Sequence, residues 1–151
     1  MIPFAAVDVA DLVEWIGGID WMDWPQQNLP GGELKPAMMT DLGWHGFGAR
    51  TDRVVAALMA YFHGCEDHQR MLSVVMPGHT IEPHRDEQAP AWKTRVHVPL
   101  TSNDRALFIL DNDMGVMRPG NAYLVDTRAI HAVHNGGDTP RVHFMFDVRR
   151  K

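Results

Sequence analysis

Two parts of the chain carry side chains that can hold a metal ion. Pro83-His84-Arg85-Asp86 sets an imidazole and a carboxylate two residues apart. On an extended strand, residues i and i+2 project from the same face, so His84 and Asp86 can offer ligands to a single ion. In a chain with nine histidines the H-x-D pattern alone has little specificity, and a surface His beside a solvated Asp reads the same way. The context comes downstream, where His131 is followed ten positions later by Arg141. Two histidines and one carboxylate make a facial triad with open positions opposite, an arrangement that suits non-haem Fe(II) oxygenases. A guanidinium fork nearby suits the carboxylate of a second substrate. His134 rivals His131; three residues apart on one strand, the two face opposite sides, so only one is a ligand. Asp126 either orients a ligand from behind or caps a turn.

The elements that must position these groups change character near residue 70. Before it, Val9 to Ile16 has helical spacing, and Arg53 to Phe62 is the strongest helix, with Thr51 or Asp52 as N-cap and Gly64 as stop. Between them, Gly17 to Trp44 reads as long loops with aromatic anchors. From Met71 onward, short β-prone runs alternate with turn signals. The runs are 71–76, 80–84, 93–100, 106–110, 115–117, 122–125, 130–133 and 142–148. Their number and spacing predict a mainly β, two-sheet jelly roll of the cupin kind, with helices and loops flanking it on the N-terminal side. The whole chain, 1–151, reads as one domain, with 1–70 as support and substrate-side elements and 71–148 as the β core.

Strand parity sharpens the picture. Arg95 and His97 share one face of their strand, opposite Thr94, Val96, Val98 and Leu100. Arg141, His143 and Met145 share one face of theirs, opposite Val142, Phe144, Phe146 and Val148. One sheet face thus collects Arg95, His97, Arg141 and His143. Pointing outward they need no partner; pointing inward they must be paired, and an anionic ligand would satisfy them.

Composition narrows the classes. At 151 residues, 45% hydrophobic and 22% charged, the chain is long enough for one core and resembles neither a disordered nor a membrane protein. A net charge of -5 argues against a nucleic-acid partner. The single Cys65 excludes an internal disulfide and suits a reducing, cytoplasmic setting. No apolar run is long enough to span a bilayer, and the first ten residues do not read as a signal peptide. His63, Cys65 and His68 match no standard zinc spacing. The methionines Met71, Met76, Met114, Met117 and Met145 read as core filler, and Arg149-Arg150-Lys151 as a solvated tail.

Taken together, Ser73-Val-Val-Met-Pro-Gly-His-Thr-Ile-Glu-Pro-His-Arg-Asp86, Arg95-Val-His-Val-Pro-Leu100, Gly120-Asn-Ala-Tyr-Leu-Val-Asp-Thr127, His131-Ala-Val-His-Asn135 and Arg141-Val-His-Phe-Met-Phe-Asp147 resemble the aspartyl/asparaginyl β-hydroxylase family of Fe(II)/2-oxoglutarate-dependent oxygenases. Order and spacing agree over roughly the last half of the chain. The resemblance implies a double-stranded β-helix with His84, Asp86 and His131 as iron ligands. It implies that Ser73 and Arg141 hold the distal carboxylate of 2-oxoglutarate, with Arg95 and His97 close to the co-substrate or the substrate. The implied reaction is hydroxylation of an unactivated C–H bond of an amino-acid, peptide or other small substrate, using dioxygen and releasing succinate and CO2. A non-catalytic cupin-like protein that binds a metal or a carboxylate is the alternative, and a zinc hydrolase a more distant one. Before Met71 the resemblance fades. There Trp21, Trp24, Trp44, His45 and Phe47 either wall the substrate pocket or plug the open end of the barrel.

Overall fold

The computed structural model describes residues 1–20, 23–24, 26–28, 34–36, 41–86 and 93–151. Five strands form one antiparallel sheet: β1 (Ala5–Ala6), β4 (Cys65–Val75), β6 (Thr94–Thr101), β9 (Asn121–Val125) and β11 (Arg141–Arg150). Their order is β1-β9-β6-β11-β4. A second, four-stranded sheet holds β5 (Thr80–His84), β7 (Ala106–Leu110), β8 (Asp113–Gly115) and β10 (His131–Asn135), in the order β5-β10-β7-β8. A small pair, β2 (Gln26–Asn28) with β3 (Leu34–Pro36), two helices, α1 (Ala10–Gly17) and α2 (Phe47–Met59), and a 3-10 turn at Trp44–Gly46 leading into α2 are also described. This is the mainly β, two-sheet jelly roll that the strand pattern predicts.

The parity of β6 and β11 decides the layers. Val96, Val98, Leu100, Val142, Phe144, Phe146 and Val148 all face one side of the larger sheet and are buried. The helices cover that side. Leu12 and Ile16 of α1, and Phe47, Val54, Val55 and Leu58 of α2, join the same cluster. Trp24 and Trp44 belong there too. Trp24 is buried and meets Trp44 edge-on at 5.3 Å, while Phe47 meets Phe144 edge-on at 5.8 Å. These aromatics are therefore neither pocket wall nor barrel plug. They fill the layer between helices and sheet, on the opposite face of β11 from Arg141 and His143. Trp21 lies outside the described residues, and His45 is exposed.

Several boundaries differ from the sequence reading for tertiary reasons. Helix α2 begins at Phe47, after Gly46 in the left-handed region (φ 73°), and not at Arg53. The buried Phe47 draws the chain into the helix nearly two turns early. Thr51 is then an interior residue, its hydroxyl donating to the Phe47 carbonyl at 2.8 Å, and neither it nor Asp52 is the cap. The helix stops at Met59, before Gly64. Strand β4 begins at Cys65, and β11 runs on to Arg150, because the two pair from Arg141↔Val75 to Arg150↔Cys65. Arg149 is accordingly a strand residue ion-paired to Glu66 at 2.8 Å, not part of a free tail. Met114 is exposed rather than core filler, unlike Met71, Met117 and Met145.

Between the sheets, Val75, Phe108, Met117, Tyr123, Val125 and Val133 form a second apolar cluster. Asn135 closes one end of this interior. Fully buried at the last position of β10, it donates from Nδ2 to the carbonyls of Val75 (2.8 Å) and Thr139 (2.9 Å) and accepts from Asn103 Nδ2 at 3.1 Å. His131, at the first position of β10, marks the opposite end.

Candidate metal centre

Strand pairing brings the two distant histidines together. His131 on β10 sits directly opposite His84 on β5, and their rings lie 4.2 Å apart. Asp86 follows β5 by two residues, its amide donating to the Thr127 carbonyl at 2.9 Å, which holds the chain extended beyond the strand end. Asp86 Oδ1 then lies 3.8 Å from His84 Nε2 and 3.9 Å from His131 Nε2. These separations are too long for hydrogen bonds and short enough for all three atoms to share one ion. Among the described residues this is the one group of His, Cys, Asp or Glu side chains so placed.

The donor chemistry fits a cation. His84 Nδ1 lies 2.7 Å from the Glu82 carbonyl, and His131 Nδ1 lies 2.9 Å from the Ala129 carbonyl. Each Nδ1–H is thereby committed to a backbone acceptor, which leaves the Nε2 lone pairs free toward the centre, the usual second layer of a histidine metal site. Burial holds the His131 pKa below its ordinary value, reinforced by the nearby His84 and Arg95 charges and opposed by the Ala129 carbonyl and Asp86. A neutral imidazole is the form a metal ligand requires. His134 behaves as strand alternation predicts. It points outward and bonds Thr80 Oγ1 at 2.8 Å. Asp126 caps a turn, accepting from the Arg128 amide and guanidinium, and the Arg128 side chain holds its pKa below the ordinary range. Cys65 and His63 make a thiol-to-carbonyl contact at 3.7 Å and form no metal cluster with the other described residues.

The inner face of β11 and its neighbours forms a polar row that runs from the metal cluster toward the Asn135 end. Arg141, only 2% exposed, occupies the far end; its Nη1 donates to Ser73 Oγ at 3.3 Å and its Nη2 to His143 Nδ1 at 3.0 Å. Among the described residues no carboxylate pairs with Arg141, and burial pulls its pKa down to about 9. A buried cation without a counter-ion is a site for an anion. Since a guanidinium cannot accept, His143 Nδ1 must be the acceptor and its proton must sit on Nε2. His97 Nδ1, 3.2 Å from the same atom, is then the donor, which leaves His97 Nε2 as a free acceptor.

Both imidazoles are held neutral, with pKa values well below 6.5, by burial first and by Arg141 second. The sign of the pH dependence follows. An unfolded histidine takes up a proton near pH 6.5, whereas the buried one refuses it, so the unfolded state binds more protons below that pH. Stability is therefore fully present above pH 6.5 and declines as pH falls below it. Urea denaturation of the metal-free protein at pH 7.5, 6.5 and 5.5 should show the decline confined to the last interval, at up to about 1.4 kcal/mol per histidine per pH unit. A midpoint unchanged from pH 6.5 to 5.5 would mean that the two rings are not held neutral.

Toward the metal end, Arg95 and Asp147 face each other across β6 and β11. Arg95 Nε and Nη2 donate to Asp147 Oδ1 (2.8 Å) and Oδ2 (3.2 Å), Arg95 Nη1 donates to Asp86 Oδ2 at 3.0 Å, and Lys93 Nζ approaches Asp147 at 2.7 Å. The sequence singles out His143 only as one of the polar residues on this face, and gives Asp147 and Lys93 no role. Asp147 was within reach of parity, since it continues the inward series Arg141, His143, Met145 by one step.

A model of the aspartyl/asparaginyl β-hydroxylase family matches residues 48–151. No curated protein matches the sequence. Among solved structures, AviO1 from Streptomyces viridochromogenes Tue57 superposes with a TM-score of 0.66 at 15% identity, over 97% of this chain and 86% of its own. The non-heme monooxygenase ThoJ in its apo form gives 0.66 at 13% identity, over 99% and 73%. An oxidoreductase of the 2OG-Fe(II) oxygenase family from Burkholderia pseudomallei gives 0.63 at 13%, over 85% and 74%. At such identities the likeness is one of fold. No helix among the described residues is long and apolar enough to cross a membrane.

Proposed function

Since this chain belongs to the aspartyl/asparaginyl β-hydroxylase family, we propose that it is an Fe(II)- and 2-oxoglutarate-dependent dioxygenase that hydroxylates an unactivated C–H bond of an amino acid, peptide or other small substrate. The observation that carries this reading is Arg141. A buried guanidinium with no carboxylate partner among the described residues lines the same interior as the His84, Asp86 and His131 cluster. A metal-binding site alone has no use for it; a site that must hold a dicarboxylate beside the metal does.

The roles follow from the contacts. His84 and His131 offer Nε2 and Asp86 offers Oδ1 as ligands. Bound iron would supply the activation of dioxygen, coupled to decarboxylation of 2-oxoglutarate to succinate and CO2. Arg141 and Ser73 take the distal carboxylate, with a charge-assisted hydrogen bond from the guanidinium. His143 holds that guanidinium in orientation through its Nδ1. His97 and Arg95 line the space between Arg141 and the metal, and the apolar walls of Phe108 and Val133 keep it dry.

The test is anaerobic addition of 2-oxoglutarate to the Fe(II)-loaded protein. A weak visible charge-transfer band is expected, followed by succinate release when oxygen and a substrate are admitted. Bound iron with no band and no succinate would favour the non-catalytic metal- or carboxylate-binding reading.

A further inference from the structure

We propose that Arg95 and Asp147 are positioning residues that fix the carboxylate of Asp86 for the metal. The proposal rests on reading His84, Asp86 and His131 as the metal centre. Asp86 stands beyond the end of an edge strand and is partly exposed, so its backbone alone leaves the carboxylate free to turn. Arg95 removes that freedom. Its Nη1 takes Asp86 Oδ2 at 3.0 Å, which leaves Oδ1 as the oxygen facing both Nε2 atoms.

Asp147 in turn decides what Arg95 does. Fully buried, it takes Nε and Nη2 in a two-point fork, a geometry that fixes the guanidinium plane and not merely its charge. With those two nitrogens committed, Nη1 is the one left to reach Asp86. Lys93 on Asp147 Oδ2 completes a group of two cations and two carboxylates, Asp86 included, which is neutral overall. The chain thus runs Asp147, Arg95, Asp86, metal, from the centre of the large sheet to the rim of the small one. Arg95 acts here through the ligand, in addition to any contact with the co-substrate.

The test is a double-mutant cycle read by calorimetric titration with Ni(II). Nickel binds such donors more tightly than iron, which keeps weakened sites measurable. The variant Arg95→Gln/Asp147→Asn removes the tether while keeping the local charge balanced. It is expected to weaken Ni(II) binding about 10–100-fold, the usual cost of losing an outer partner of a metal ligand. The decisive comparison is the same pair of substitutions on Asp86→Ala. There the further loss should stay within about twofold, because the carboxylate through which the tether acts is gone. If Arg95→Gln/Asp147→Asn does not fold by circular dichroism, Arg95→Lys serves in the same cycle, since an ammonium keeps the charge but cannot span both carboxylates. An equal loss in both backgrounds would make the network a structural strut, and no loss in either would remove its role; both results overturn the proposal. Failure of the unsubstituted protein to bind Ni(II) would overturn the metal-centre reading itself.

Discussion

His131→Ala is expected to give a folded protein that neither retains Fe(II) nor turns over 2-oxoglutarate above background. The ring supplies one of three candidate ligands, and two remaining donors leave the ion exposed to solvent exchange. The strand itself has little need of the side chain. β10 lies between β5 and β7 and is held by backbone pairing on both sides, so loss of the imidazole leaves the ladder intact. What goes besides the ligand is the Nδ1 hydrogen bond to the Ala129 carbonyl, the ring contact with His84 and a face-on contact with Phe108 at 6.3 Å between centroids. The control is His134→Ala, three residues on, exposed and bonded to Thr80. It should keep near-normal metal content and succinate formation. If His134→Ala loses the iron and His131→Ala keeps it, the ligand assignment is wrong.

Arg141→Met is expected to move stability and function in opposite directions. In the protein without co-substrate, Arg141 is a buried cation whose side-chain hydrogen-bond partners among the described residues, Ser73 and His143, are neutral. Exchange of such a charge for an apolar side chain of similar volume is often stabilising, here by about 1–2 kcal/mol, which raises Tm by about 2–4 °C per kcal/mol for a chain of this size. His143 keeps its bond to His97 in the variant, and Ser73 Oγ, the other group Arg141 releases, is only partly buried. Binding of 2-oxoglutarate should weaken by about 2–5 kcal/mol, at least 30-fold, because the carboxylate loses its charged partner in a dry site. Thermal melting and an anaerobic titration of the visible band measure the two sides. A variant that melts lower and binds 2-oxoglutarate normally would make Arg141 a structural residue.

The large sheet was legible because one periodic signal, alternation, was doubled on two strands. Val142, Phe144, Phe146 and Val148 had to share a face, and so did Arg141 and His143; the burial of both sets inside a sandwich follows from helices covering one side. The triad was legible from H-x-D and His131 only through the resemblance, since nothing in the spacing says that β5 and β10 pair. The start of α2 was hidden because it depends on Phe47 meeting Phe144, a contact between distant parts of the chain. The same holds for Trp24 and Trp44, whose clustering in sequence resembles a pocket wall until the outer face of the large sheet is known to need them. The tether through Asp147 was hidden for a different reason. Parity gives the face of Asp147, but the tether depends on the register that sets it opposite Arg95, and nothing in the spacing fixes that pairing.

The side-chain knot at Asn135 has a kinetic corollary. It ties off the interior at the Arg141 end, since the Val75 carbonyl it holds belongs to the residue paired with Arg141. On the proposed function, a dicarboxylate bound there would have the metal between itself and the opposite end, and the larger organic substrate would rest over that same route. Loading would then be ordered: the dicarboxylate would enter first and its shortened remnant depart last. Turnover at saturating substrate would be governed by how fast succinate clears a passage with one mouth, and excess organic substrate would slow the enzyme by sealing that passage before it is charged.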